Sequence, residues 1–201
     1  DTVAGSALTE DVVAMPATPY GQSKHAAERY ILDRPLPAGK KVYILRPCMI
    51  HGPGNKGNLN LLFTLVSKGI PYPLGAFENR RSFTSIGNLA WILRQILEQD
   101  IAPGIYHIAD DEPLPTNTLI HMMAECLGRK ERIWNIPKPW IRGLARTGDV
   151  LHLTLNSERL KKLTESYVVS NDKIKAALGV EKLPITAIDG MRLTLENLKT
   201  D

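Results

Sequence analysis

Apolar positions along the chain follow two spacings, and together they predict strands and helices in alternation. Two short runs rich in apolar and β-branched residues, 41–46 and 104–108, are typical of buried strands. Elsewhere apolar residues recur every three or four positions, as on one face of a helix. Helices are predicted at 18–33, 58–68, 88–97, 116–127, 170–178 and 184–199, with another around 140–144. The alternation predicts an α/β fold, with a looser pattern after residue 130.

The ends of these segments carry residues that suit helix termini. Thr18 is expected to cap the first helix, with Pro19 in its first turn, and Asn58 and Asn88 are expected to cap the second and third. The apolar faces are expected to contain Ala26, Ala27, Tyr30 and Ile31 on the first helix, Leu61, Leu62, Leu65 and Val66 on the second, and Leu89, Ile92, Leu93, Ile96 and Leu97 on the third.

Shorter elements are expected between the helices. Residues 2–4 are expected to end a strand, 5–17 to form a loop, and 51–57 to form a loop with three glycines. Brief strands are expected at 72–74, 81–86 and 133–136.

Composition and charge indicate which kinds of partner the protein binds. The chain has 201 residues, 43% hydrophobic and 23% charged, with a net charge of +4, values typical of a globular protein. Its cations occur in short, separated pairs, which favours a small anionic ligand over a nucleic-acid surface. No apolar run approaches the ~20 residues of a membrane span. Neither nucleic acid nor membrane is therefore expected as a partner.

The cysteines and histidines show no spacing of metal ligands. Cys48 and Cys126 lie far apart and are expected to be free thiols in a reducing compartment, which indicates a cytoplasmic protein. The five histidines share no ligand spacing either. No metal site is predicted.

The stretch with the clearest chemistry is the start of the first helix. Tyr20 and Lys24 are four residues apart, so one helix face presents the phenol and the ammonium side by side. A free phenol has a pKa of about 10, and a neighbouring cation lowers it, so such a tyrosine can exchange a proton with a hydroxyl near neutral pH. The spacing alone is also what an ordinary half-buried helix shows.

Two other stretches are candidates for binding an anion. The glycine loop 51–57 precedes a predicted helix, whose N–H groups suit a phosphate, although a tight turn explains it equally well. Arg80 and Arg81 precede a strand and have the guanidinium groups that grip a diphosphate, or they are a solvated surface pair.

Taken in order, these pieces resemble the extended short-chain dehydrogenase/reductase family. More narrowly, they resemble its NAD-dependent epimerase/dehydratase branch, which acts on nucleotide sugars. The resemblance is strong through residue 110 and looser beyond it. The residues that carry it are Tyr20 and Lys24, then Leu45-Arg46-Pro47 with His51-Gly52-Pro53-Gly54, then Asn58-Leu59, then Arg81-Ser82-Phe83 with Ile86, Asn88, Leu89 and Ala90.

The resemblance implies roles at the cofactor. Tyr20 would be the catalytic base and acid, and Lys24 would lower its pKa and hydrogen-bond the nicotinamide ribose of NAD. Pro47 and Met49 would lie near the nicotinamide.

It also implies roles at a nucleotide-sugar substrate, expected to be a UDP-sugar, and a possible homodimer. Asn58 and Arg81 would contact the substrate diphosphate. Tyr72 and Leu74 would line the base pocket, and Thr2 would lie near the sugar.

Two family features are not found in the chain: the glycine-rich turn of the first βα unit and the third catalytic residue, a serine or threonine. The chain is therefore expected to be the C-terminal part of a longer enzyme, inactive alone. Residues 1–110 would hold the last elements of a Rossmann-like parallel sheet with a substrate-binding insertion at 52–80, and 111–201 a smaller, mostly helical substrate-binding lobe.

The reaction stays open between related chemistries. A 4-epimerase acting on a UDP-hexose or UDP-N-acetylhexosamine is the first hypothesis. Met49 and the run 79–83 also resemble enzymes that reduce a UDP-4-keto-6-deoxy-hexosamine with NAD(P)H. A module that binds nucleotide sugars without catalysis is the alternative of another class. Arg146 and Asp149 imitate a substrate motif of the family but are interpreted as coincidence because they lie too far from 172–173.

Overall fold

The computed structural model describes residues 6–151 and 156–200. Within these ranges the helices are α1 Pro19–Leu32, α2 Asn58–Ser67, α3 Ile86–Glu98, α4 Thr116–Cys126, α5 Lys138–Val150, α6 Ser157–Thr164, α7 Asp172–Leu178 and α8 Ala187–Thr200. The strands are β1 Tyr43–Pro47, β2 Met49–His51, β3 Arg80–Arg81, β4 Phe83–Ser85, β5 Gly104–Ile108 and β6 Leu114–Pro115.

Parallel strand pairs form the centre of the fold. β1 pairs with β5, with Tyr43 opposite Gly104 and Pro47 opposite Ile108, and β2 pairs in parallel with β4. Cys48 N donates to Ile108 O over 2.9 Å, which joins the two pairs at the point where β1 leads into β2. β3 and β6 form a small antiparallel pair. This mixture of parallel strands and helices is the predicted α/β class.

Three apolar clusters hold the helices in place. The first joins α2, α4 and α8 around Phe83 and Leu114, and the second packs α3 and α7 against β1 and β5. The third lies under α5 and α6 and consists of Leu74, Phe77, Ile141, Ala145 and Leu160. Burial of these side chains is the main source of stability.

The first helix begins as its sequence predicts. The Thr18 side chain accepts a hydrogen bond from Gly21 N over 3.1 Å, and Pro19 occupies the first helical position. None of its residues is buried, however, and Tyr30 and Ile31 are exposed. The expected apolar face therefore exists in the sequence, but no described part of the chain covers it.

The second and third helices begin differently from the prediction. Gly57 is the N-cap of α2, so Asn58 is its first residue and not its cap. α3 is capped by Ser85, whose hydroxyl accepts from Asn88 N, and Asn88 is fully buried inside the first turn. Its side chain bonds Ile185 O and Ile185 N, 97 residues away. A buried amide with distant partners outweighs the local capping preference.

The prediction of which residues of these two helices face inward was also partly wrong. On α2 the buried side chains are Leu59 and Phe63, whereas Leu61 and Leu65 are exposed. On α3, Ile92 and Ile96 are buried as predicted, but Leu93 and Leu97 are exposed. The apolar stripe on each helix is wider than the face that the core covers, so spacing alone could not choose its centre.

The predicted bounds of the short strands and loops differ in detail from the structure. Tyr72 and Leu74 form isolated bridges to Ile133 and Asn135 rather than strands, and 81–86 is divided among β3, β4 and α3. His51 belongs to β2, so the glycine loop begins one residue later. α6 was not predicted. The expected strand at 2–4 lies outside the described residues.

Candidate active site

The first turn of α1 presents Tyr20 and Lys24 together. Lys24 Nζ lies 5.5 Å from the centre of the Tyr20 ring, within the distance at which a cation is attracted to an aromatic face. Tyr20 is 73% exposed, so its hydroxyl is open to a ligand. The cap at Thr18 fixes where the helix begins, and it therefore fixes which residues share this face.

A cavity of about 510 Å³ lies between α1, the end of β1 and the loop 8–16. Lys24, Pro47 and Cys48 line it, but Tyr20 and Met49 are not among its lining residues. Burial raises the pKa of Cys48 to about 12, so this thiol is protonated and a poor nucleophile. The structure thus brings Lys24 and Pro47 to one cavity and leaves Tyr20 at its outer side.

An ion pair fixes α1 to the strand beside this cavity. The Arg46 guanidinium donates to both Glu28 oxygens, with Nη2 2.6 Å from Oε2 and Nε 3.0 Å from Oε1. The side chains of Arg46 and Glu28 are 23% and 19% exposed, and the hydrogen bonds that Arg46 donates to Glu28 raise the pKa of Arg46 above its usual value. A bidentate pair of this kind sets the orientation of the helix as well as its distance from the strand.

The loop 8–16 encloses the opposite side of the cavity. Leu8 N donates to Val168 O, and Ser170 N donates to Leu8 O, each over 2.8 Å. The Glu10 carboxylate accepts from His107 N over 2.7 Å. The buried Nδ1 atoms of His25 and His107 have no hydrogen-bond partner within the described ranges. Neither histidine was singled out from the sequence as a cavity residue.

The predicted substrate residues differ in how far they are exposed. Tyr72 is half-buried; burial raises its pKa, and the nearby charge of Arg81 partly offsets that rise. Arg81 donates to Lys162 O, and its buried Nε has no partner among the described residues. Leu74 is 5% exposed in the third apolar cluster. Asn58 is exposed at the start of α2, and Thr2 lies outside the described residues.

A second cavity, lined by several cations, was not predicted. It has a volume of about 600 Å³ and lies between Phe77, α5 and α6. Lys138, Arg142 and Arg146 line one wall, at successive four-residue steps of α5. That spacing of cations is visible in the sequence and is the signal that could have found it.

Asp149 forms its hydrogen bonds with Ser157. Its carboxylate accepts from Ser157 N over 2.9 Å and from Ser157 Oγ over 2.5 Å, and these bonds lower the pKa of Asp149. The residue therefore links the end of α5 to the start of α6.

A set of side chains that we call the buried polar network consists of His51, Ser85, Asn88, Asp110 and Thr194. All are at most 3% exposed. Asp110 accepts from Ser85 N, Ser85 Oγ and Asn88 Nδ2, and lies 3.5 Å from His51 Nε2. His51 Nδ1 is 2.9 Å from Thr194 Oγ1. The network joins β2, β4, α3 and α8 at one point.

The described ranges hold no cluster of histidine, cysteine and carboxylate side chains able to bind a metal. Among the same residues no helix is long and apolar enough to cross a bilayer.

Comparison with protein families matches residues 6–138 to the 3-beta hydroxysteroid dehydrogenase/isomerase family. UDP-glucose 4-epimerase of Vibrio cholerae is 31% identical over 191 residues, which cover 94% of this chain and 56% of that protein. N-acetyl-alpha-D-glucosaminyl-diphospho-ditrans,octacis-undecaprenol 4-epimerase of Escherichia coli O157:H7 is 26% identical over 178 residues, covering 86% of this chain and 51% of that protein. The chain spans about half the length of these relatives.

Solved structures show the same fold. UDP-glucuronic acid 4-epimerase of Bacillus cereus in complex with NAD has a TM-score of 0.70 at 17% identity, covering 97% of this chain and 56% of that one. UDP-glucose 4-epimerase of Thermus thermophilus in complex with NAD has a TM-score of 0.69 at 21% identity, covering 99% and 60%. The predicted Rossmann-like α/β class is confirmed.

Proposed function

Since the chain belongs to the 3-beta hydroxysteroid dehydrogenase/isomerase family, we propose that it supplies the proton-transfer pair and substrate-binding lobe of an NAD-dependent nucleotide-sugar 4-epimerase. The observation that carries the proposal is the placement of Lys24. Its ammonium lies 5.5 Å from the Tyr20 ring, and it lines the same cavity as Pro47, the residue expected beside the nicotinamide. One helix turn thus links a proton donor and acceptor to the cofactor position.

Tyr20 carries out the proton transfer in this proposal. Its exposed phenol oxygen takes the proton of the sugar 4-hydroxyl and later returns it to the same oxygen. The role assigned to Lys24 is that of the cation beside this phenol. The Arg46–Glu28 ion pair keeps α1, and with it this pair, against the end of β1.

A bound NAD would supply the hydride chemistry at C4 of the sugar. The residues of this chain that would hold its nicotinamide end are Lys24, toward the ribose, and Pro47, which forms part of the cavity wall. Met49 lies in β2, two residues beyond Pro47, and its place near the nicotinamide stays a prediction from the family resemblance.

Arg81 and Tyr72 are assigned to the nucleotide-sugar. Arg81 supplies a positive charge beside Tyr72, which suits a diphosphate. Tyr72 supplies an aromatic surface for the base. Asn58, Leu74 and Thr2 stay predictions from the family resemblance. A UDP-sugar as substrate and a homodimer stay predictions too.

Replacement of Tyr20 tests the proposal. In the full-length protein, Tyr20→Phe removes only the hydroxyl, and we expect turnover of a UDP-hexose to fall by roughly 10²-fold or more because proton transfer is lost. Interconversion of the two 4-epimers measures it.

The matched control is Tyr30→Phe, on the same helix and also exposed. Its ring lies beside Arg34 rather than Lys24, and we expect turnover to be unchanged. Wild-type turnover by Tyr20→Phe would overturn the catalytic role and favour a module that binds nucleotide sugars without catalysis.

A further inference from the structure

The stretch from Arg129 to Arg146, here called the basic segment, differs in charge from the rest of the chain. It contains six cations against one carboxylate, while the net charge of all 201 residues is only +4. The cations are Arg129, Lys130, Arg132, Lys138, Arg142 and Arg146, and the carboxylate is Glu131. Most of the excess positive charge of the protein is therefore concentrated in one short stretch of the lobe.

Large apolar side chains of the same segment are exposed among these cations. Trp134 is 56% exposed, Trp140 is 77% exposed and Leu144 is 56% exposed. Trp140 and Leu144 lie four residues apart on α5, so they share one flank of the helix. Ile141 and Ala145, which alternate with them along the helix, are buried in the third apolar cluster and attach α5 firmly to the lobe.

Carboxylates do little to neutralise this charge. Glu131 contacts His121, with 2.9 Å between Oε2 and Nδ1. Arg129 and Arg132 donate to the backbone carbonyls of Ser67 and Gly69, which leaves their charge intact.

The cations of α5 are likewise unneutralised. Lys138 lies over the Phe77 ring at 5.8 Å. Arg142 and Arg146 form no ion pair with any carboxylate of the described ranges, although Glu78 lines the same cavity. Asp149, three residues beyond Arg146, is engaged by Ser157.

We propose that the basic segment attaches the protein to the surface of an anionic membrane. Cations near an anionic bilayer are attracted to it, tryptophan prefers the interface between lipid and water, and an exposed leucine adds apolar area. The long side chains of Arg142 and Arg146, on the flank of α5 away from Trp140 and Leu144, reach the headgroups. No described helix is long enough to span a bilayer, so the attachment is peripheral. This departs from the expectation of no membrane partner and does not require the proposed activity.

A nucleic acid is the other polyanion that such a surface could meet, through cations and stacked aromatic rings. Leu144 beside Trp140 favours the membrane, because an exposed leucine adds burial in lipid and offers no stacking surface.

Co-sedimentation of the full-length protein with lipid vesicles tests the proposal. We expect it to bind vesicles of phosphatidylcholine mixed with phosphatidylglycerol, not vesicles of phosphatidylcholine alone, and to dissociate as salt is raised. Each cation near the surface is worth roughly fivefold in partitioning. The double variant R142Q/R146Q should therefore bind at least roughly tenfold more weakly, and Trp140→Ala should also weaken binding.

The matched control is K40Q/K56Q, which removes the same charge at exposed positions outside the segment. We expect its binding to stay within about twofold of wild type, and circular dichroism confirms that each variant is folded. Three results would overturn the proposal: no binding to the anionic vesicles, an equal loss in K40Q/K56Q, or displacement of the protein from vesicles by RNA. Because every replaced side chain is exposed, loss of folding is not expected, and Trp140→Ala tests the same surface without a charge change.

Discussion

The helix α1 and the buried polar network are held in place in opposite ways. α1 has no buried residue, and a partly exposed ion pair between Glu28 and Arg46 ties it to β1. In the network every side chain is at most 3% exposed and Asp110 accepts from two neighbouring residues. The proposed proton-transfer pair thus lies on the more exposed of the two regions.

The two regions are expected to differ most in how much unfolding free energy is lost when an aspartate is replaced by asparagine. Asp110→Asn replaces an oxygen that accepts hydrogen bonds with an amide that donates, facing the buried donors of Ser85 and Asn88. We expect a loss of about 3 kcal/mol in the free energy of unfolding, measured by urea denaturation.

The counterpart on α1 is Asp33→Asn. Asp33 is 66% exposed and lies 3.8 Å from Arg29, so we expect a change within about 0.5 kcal/mol. Equal costs at the two positions would mean that the network does not stabilise the fold as described.

A smaller effect is expected from crowding at the network. A Cβ on Gly190 would lie 2.8 Å from the Ser85 Cβ, so Gly190→Ala forces the side of α8 away from β4 and costs about 2 kcal/mol. Gly143→Ala on α5 is the control, because a Cβ there meets nothing within 4 Å. Thermal unfolding should show that Gly143→Ala stabilises by up to about 1 kcal/mol. A stabilising Gly190→Ala would contradict the close approach.

Breaking the ion pair of α1 is expected to affect overall stability less than crowding at the network does. Glu28→Gln leaves Arg46 with a weaker, neutral acceptor, and because both side chains are partly exposed the cost is about 1 kcal/mol. The effect should be local: amide hydrogen exchange should increase in α1 while α8 keeps its protection. Equal loss of protection in both helices would show that the two regions are not independent.

Local features of the chain were readable from its sequence. Thr18 and Pro19 mark the start of α1 because capping involves only neighbours in sequence, and Tyr20 and Lys24 could be paired because helix geometry is local. The cations of α5, four residues apart, belong to the same class of signal, although they were overlooked.

Features that depend on distant partners were not readable. Asn88 looked like a cap, but its side chain bonds Asp110 and Ile185, 22 and 97 residues further along the chain. Leu61 and Leu65 looked inward-facing because spacing defines a stripe but not the part of it that other elements cover. Tyr72 and Leu74 pack at one apolar cluster, with Tyr72 half-buried and Leu74 buried, and their role at a base pocket stays a prediction.

The most direct test of the proposed activity follows nicotinamide during turnover of the full-length protein. With a UDP-hexose or UDP-N-acetylhexosamine, an epimerase interconverts the two 4-epimers with no net change in the amount of reduced nicotinamide, because hydride leaves C4 and returns to it. We predict that result, together with its loss in Tyr20→Phe. Stoichiometric oxidation of NADPH by a 4-keto sugar, with no interconversion of 4-epimers, would contradict the proposal and identify a reductase.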